Sequence, residues 1–171
     1  MRHVKRRSTK PFRADDPDFE LRLRIALVCS SGGHLFELKR LEPWWQKHEC
    51  MWVTFDTPDA VSLLRGERVV WAYHPTTRNI VNLFRNFVLA ARTLWKERPD
   101  LVVSDGAGVA VPFFLVARVL RIKTVFIEHW TRPDSPTLTG RLCRPLSSLF
   151  VVQWDEQRRH YPGATLIGEL W

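Results

Sequence analysis

From Leu23 onward, short apolar runs rich in β-branched and aromatic residues alternate with longer stretches of helical periodicity. The runs are RIALVCS (24–30), CMWVTF (50–55), RVVWAY (68–73), DLVVS (100–104), KTVFIE (123–128) and SLFVVQ (148–153), with ATLIG (164–168) as a weaker seventh. Runs that are apolar at consecutive rather than alternate positions suit strands buried on both faces, and crossover helices provide that cover. The pattern therefore predicts an α/β domain, a doubly wound Rossmann-like parallel sheet. Residues 1–22 read differently: a basic cluster (Arg2, Lys5, Arg6, Arg7, Lys10, Arg13) precedes an acidic one (Asp15, Asp16, Asp18, Glu20), with few core-type residues. They are expected to form a flexible arm ahead of a single domain over 23–171. Ligands of doubly wound sheets gather at the carboxyl ends of the strands, which directs attention to the loops after Ser30, Ser104 and Ile127.

All three loops carry unusual chemistry. In Cys29-Ser30-Ser31-Gly32-Gly33-His34, paired glycines allow close approach of a ligand to backbone amides at a helix start. The turn has neither the GxGxxG spacing of a dinucleotide site nor the lysine of a Walker A loop. His34 is its one side chain that exchanges protons near neutral pH, and it reads either as a base or as a packing residue of the helix start. Ser104-Asp105-Gly106-Ala107-Gly108 again removes bulk at a strand end, with Asp105 either a hydroxyl-orienting carboxylate or a turn residue. Glu128-His129-Trp130-Thr131-Arg132 brings a carboxylate, an imidazole and an aromatic ring to the third loop, a set that suits sugar binding. Neighbouring strand residues face opposite ways and no metal-ligand spacing is present, so no metal site is expected.

Residues 79–97 follow helical spacing through Ile80, Leu83, Phe84, Phe87, Val88, Ala91, Leu94 and Trp95, while Arg78, Arg85, Arg92 and Lys96 fall near one azimuth. This is the composition either of an amphipathic core helix or of one lying on anionic lipid through Arg85, Phe87, Arg92, Trp95 and Lys96. Charge sharpens the second possibility, because the chain carries a formal +8 and eight tryptophans in 171 residues. Nucleic acid would also suit that charge, but no nucleic-acid-binding motif is present and none is expected as a partner. The three cysteines, Cys29, Cys50 and Cys143, lie in neither a disulfide nor a zinc pattern. With no apolar run long enough to span a bilayer, a peripheral protein is expected.

Taken in order, SSGGH, FELKRL, VTF, SDGAGVAVPF, IEHW, SPTLTGRL, VVQWDE and YPGATLIGEL resemble the oligosaccharide-biosynthesis family. That family contains bacterial capsule and exopolysaccharide transferase subunits and the membrane-anchoring subunit of the dolichol-pathway N-acetylglucosaminyltransferase. A fainter likeness runs to the amino-terminal half of the transferase that forms peptidoglycan lipid II. The resemblance implies the amino-terminal, acceptor-binding half of a metal-independent, inverting GT-B glycosyltransferase. A separate small carboxyl-terminal-half subunit is then expected to carry the nucleotide-sugar site, and the chain's ending at Glu169-Leu170-Trp171 fits that division. The implied acceptor is a lipid-linked (polyprenyl diphosphate) glycan and the implied donor a UDP-sugar, met at the cytoplasmic face of the plasma membrane without a further cofactor. On that reading His34 is the candidate base and Glu128 its orienter or alternative. Ser31, Gly32, Gly33, Asp105, Gly106, Gly108, His129 and Arg132 are then expected to bind substrate.

Overall fold

The computed structural model describes residues 22–168, so the expected arm lies outside the described residues apart from its last position. Seven parallel strands form one sheet: β1 (Arg24–Val28), β2 (Glu49–Thr54), β3 (Val69–Trp71), β4 (Leu101–Ser104), β5 (Lys123–Ile127), β6 (Leu149–Val152) and β7 (Thr165–Leu166). Each sequence run coincides with one of them, β2 beginning one residue ahead of its run. The helices are α1 (Gly33–Arg40), α2 (Glu42–Trp45), α3 (Pro58–Leu63), α4 (Ile80–Glu97), α5 (Ala110–Val119) and α6 (Leu138–Cys143).

The spatial order is β3-β2-β1-β4-β5-β6-β7. Chain direction across the sheet thus reverses between β1 and β4, and their following loops diverge to opposite sides of a crevice. Alternation within each strand divides the core. Ala26 and Val28 pack with Ala90, Leu94, Phe113, Phe114 and Cys143 beneath α4, α5 and α6. Ile25 and Leu27 pack with Leu35, Leu38, Trp45, Ala60 and Leu64 beneath α1, α2 and α3. The outermost strands, β3 and β7, which have a neighbour on one side only, are the shortest of the seven.

After β3 the chain is held by α4. Asn86, fully buried, accepts from the Tyr73 amide (2.9 Å) and donates to the Tyr73 carbonyl (2.8 Å); Asn82 donates to the Pro75 carbonyl (3.0 Å). Asn79 caps the helix through the Asn82 amide (2.9 Å). Two asparagines therefore occupy the inward face of a helix whose sequence offers many apolar alternatives.

Candidate active site

The crevice between β1 and β4 brings together two residues 71 apart in sequence. His34 Nδ1 lies 3.0 Å from Asp105 Oδ2, with the Asp105 side chain fully buried and His34 about one quarter exposed. Because Nδ1 faces the carboxylate, Nε2 is the imidazole nitrogen left for a ligand in the crevice. Burial pulls the His34 pKa down, but the charge and hydrogen bond of Asp105, aided by Glu37, outweigh it and leave the value raised. Burial likewise raises the Asp105 carboxyl, against the opposing pull of His34. The local backbone is built for this contact: Gly106 has φ 128°, and a Cβ there would stand 3.2 Å from His34 Cε1. Gly108 admits Thr76 from the loop held by α4, since a Cβ would meet its side chain at 3.1 Å.

Further buried polar groups lie behind this pair. The His129 ring meets the His34 ring edge-on, with centroids 4.3 Å apart. His129 Nε2 stands 3.1 Å from Glu37 Oε2, and its Nδ1 lies 2.8 Å from Thr131 Oγ1. Gln153 donates from Nε2 both to Glu37 Oε1 and to the Glu128 carbonyl (3.0 Å), while Gln157 donates to the His129 carbonyl (3.0 Å). Burial first, then the Asp105 charge, push the Glu37 carboxyl up to about 8. Burial and the neighbouring His34 hold His129 down at about 4, so its imidazole is neutral at physiological pH. Glu37, Gln153 and Gln157 were not among the residues the sequence singled out. The available signal was spacing: Glu37 follows His34 by three positions on one helix and shares its face.

The other expected site residues divide clearly. Ser31 and Gly32 form the turn before α1 and Gly33 opens the helix, but the Gly32 amide donates to Asp59 Oδ2 (3.0 Å) and so is already occupied within the chain. Arg132 is exposed on the β5–α6 loop, where its carbonyl accepts from Gln157 (3.2 Å). Glu128 is fully buried, and its carboxyl sits against the first turn of α6; a Cβ at Gly140 would fall on Glu128 Oε2 and crowd Tyr161 Oη. Burial raises its pKa, with Tyr161 and Thr137 opposing. This placement fits a pin joining β5 to α6 rather than a group that meets substrate. His34, Asp105 and His129 each offer a ligand atom within 4.8 Å of the others, a grouping able to surround a cation. Both His129 nitrogens already face Glu37 and Thr131, so ligation would displace one of those contacts.

Helix α4 resolves the direction of its apolar face. Asn82, Asn86, Ala90, Thr93 and Leu94 point inward, whereas Ile80 (81% exposed), Phe84 (68%), Phe87 (42%) and Trp95 (64%) point out. Leu94, grouped by periodicity with the apolar stripe, is in the core. Arg85, Arg92 and Lys96 run along one margin of the exposed apolar face, and Arg98 lies 4.2 Å over the Trp95 ring. Among the described residues no helix is long and apolar enough to cross a membrane.

Comparison with known proteins agrees with this architecture. In solved structures, the fold matches MurG of Acinetobacter baumannii with a TM-score of 0.69 at 16% identity, covering 85% of this chain and 45% of that one. It also matches the UDP-GlcNAc 2-epimerase of Methanocaldococcus jannaschii at 0.62 and 15% identity, covering 80% and 41%. The chain thus spans less than half of each, and its fold is the Rossmann-like amino-terminal half of a GT-B protein. Among curated sequences, the mouse UDP-N-acetylglucosamine transferase subunit ALG14 is 25% identical over 86% of this chain and 83% of its own length. The rat protein of that name is 30% identical over the same shares. The model of the family described as "Oligosaccharide biosynthesis protein Alg14 like" matches residues 61–170, and the chain belongs to that family.

Proposed function

We propose that this chain is the acceptor-binding, membrane-associating subunit of a two-subunit, inverting, metal-independent GT-B glycosyltransferase. It would transfer a sugar from a UDP-sugar to a lipid-linked polyprenyl diphosphate glycan in exopolysaccharide or capsule synthesis. The observation that carries the proposal is the His34–Asp105 pair at the sheet's switch point, with Nε2 of His34 left for substrate. Membership in the family and the exposed apolar face of α4 support it.

In this reading the acceptor hydroxyl lies against His34 Nε2. As its oxygen attacks the anomeric carbon, the bond from that carbon to the donor phosphate breaks and UDP leaves with the electron pair. His34 takes the hydroxyl proton, and buried Asp105 stabilises the imidazolium that forms. Neutral His129, held beside Glu37, keeps the His34 ring in place without placing a second positive charge next to it. Groups that neutralise the departing diphosphate are assigned to a small partner subunit carrying the nucleotide-sugar site. The outward face of α4 rests on anionic lipid at the cytoplasmic side of the plasma membrane, through Phe87, Trp95, Arg85, Arg92 and Lys96.

The test is reconstitution with the partner and a lipid-linked acceptor, measuring turnover and complex formation together. His34→Ala should lower turnover by about two to four orders of magnitude, the usual contribution of a general base, with assembly intact. The isolated chain should show negligible transfer. Near-normal turnover of an assembled His34→Ala complex would instead identify the chain as a scaffold that recruits and activates a catalytic partner.

A further inference from the structure

At the foot of α5, at the end of the sheet opposite the His34 turn, lies a cavity of about 300 Å³. Its charged lining is Arg118, Arg121 and Lys123, with Ser147 and Ser148 on the facing wall and no carboxylate in the lining. None of the three cations forms an ion pair among the described residues.

Ordinary structural roles account for part of this arrangement. Arg118, in the last turn of α5, complements the negative end of that helix. Arg121 and Lys123 lie beyond the helix, and Lys123 opens β5 in the middle of the sheet. Arg121 adopts φ 58°, the left-handed conformation in which helix ends usually place glycine. An arginine there bears a backbone cost that glycine avoids. Ser148 Oγ accepts from the Thr124 amide (3.1 Å), which leaves its own proton to donate. Two arginines, a lysine and a hydroxyl donor, all among the residues lining one small cavity, make a donor set suited to a phosphate group.

We propose that this cavity binds a phosphate-bearing anion. The site goes beyond the transferase reading, because it lies away from His34 and uses none of its residues. Acidic phospholipid headgroups and free diphosphate present the same chemistry. Val119, next to Arg118 on α5, is 81% exposed, and α5 packs against α4.

The experiment uses the full chain in two arms at low salt. In the first, inorganic pyrophosphate is titrated while backbone amides are followed by NMR. Saturable shifts are expected at residues 118–123 and 147–148, with affinity falling at least about tenfold in R118Q/R121Q/K123Q as charge-assisted bonds are lost. R85Q/R92Q/K96Q, on α4, should bind pyrophosphate as the native chain does, and R118K/R121K should retain most binding because it keeps the charges. In the second arm, flotation with phosphatidic acid vesicles is compared between native chain and cavity variant. Reduced flotation of the variant supports the site with a lipid headgroup as its source. Retained flotation beside the pyrophosphate loss supports it with a soluble source. Absence of saturable shifts at the cavity, or equal loss of pyrophosphate binding in the cavity and α4 variants, overturns the proposal. Should the triple variant not fold, R121Q alone decides, since Arg121 is exposed and outside regular structure; unchanged pyrophosphate affinity in that variant overturns the proposal.

Discussion

Replacing Glu37 by glutamine tests the energetics of the buried cluster. Glu37 is 3% exposed, and its carboxyl, ordinarily near 4.5, is pushed up to about 8. Between those values the folded chain holds a proton that the unfolded chain has released, so stability from this group falls as pH rises through that window. At about 1.36 kcal/mol per pKa unit, the full shift is worth up to about 5 kcal/mol, comparable to a small domain's whole stability of roughly 5–15 kcal/mol. Other members of the cluster act in definite directions. The raised carboxyls of Asp105 and Glu128 also oppose stability at higher pH, and the raised His34 contributes stability that is lost as pH climbs through its folded value. His129, depressed to about 4, acts oppositely and costs stability as pH falls below about 6.5, the ordinary histidine value. The native chain should therefore be most stable under mildly acidic conditions and lose several kcal/mol by pH 8.5. Glu37→Gln nearly preserves shape and leaves a carbonyl to accept from Gln153, but it cannot ionise. Urea unfolding from pH 5.5 to 9 should show the variant losing about 2 kcal/mol or more less than the native chain over that range, and exceeding it in stability at pH 8.5. Parallel stability curves for the two proteins would refute the argument.

Asp105→Asn removes the main influence raising His34, so the acid limb of the pH–rate profile should move to lower pH. Turnover should drop about ten- to a hundredfold, as expected when a hydrogen bond to a charged group worth about 1.5–3 kcal/mol is lost. R85Q/R92Q/K96Q should lose about a hundredfold in partitioning to anionic vesicles, at about 1 kcal/mol per surface cation, with its circular dichroism unchanged; flotation assays measure this. Gly140→Ala forces a methyl onto Glu128 and Tyr161, and should destabilise the chain by about 1–3 kcal/mol in denaturant melts.

The strands were legible because a sheet buried on both sides demands consecutive apolar residues, and runs such as LVVS and TVFI have few other uses. Their loops located His34, Asp105 and His129 by the same logic. Glu37 was not legible, because its burial is imposed by Gln153 and His129, which reach it only after the sheet assembles. In sequence, FELKRL enters only as one of the motifs of the family resemblance, which assigns Glu37 no role. Glu128 illustrates the converse difficulty. A carboxylate at a strand end suits chemistry equally well whether it faces the crevice or lies beneath α6, and Gly140, the residue that admits it there, is distant in sequence.

Helix α4 shows why periodicity alone cannot decide between core and surface. Its spacing defines an apolar stripe, yet the direction of that stripe depends on what the opposite face must satisfy. Here the opposite face carries Asn82 and Asn86, whose amides bond the otherwise unpaired backbone of Tyr73 and Pro75. Turning the helix over would strand those groups and bury Arg85 and Arg92, at a cost exceeding the gain from covering Phe84 and Trp95. The same contacts fix the loop that seats Thr76 against Gly108, two residues before the start of α5 and three after Asp105. The exposed apolar face and the His34–Asp105 crevice are therefore joined through a single run of hydrogen-bonded backbone. Since α4 begins at the carboxyl end of the sheet, the proposed function requires that a lipid lying along that face have the crevice at the helix's amino-terminal end, where the glycan it carries would meet His34.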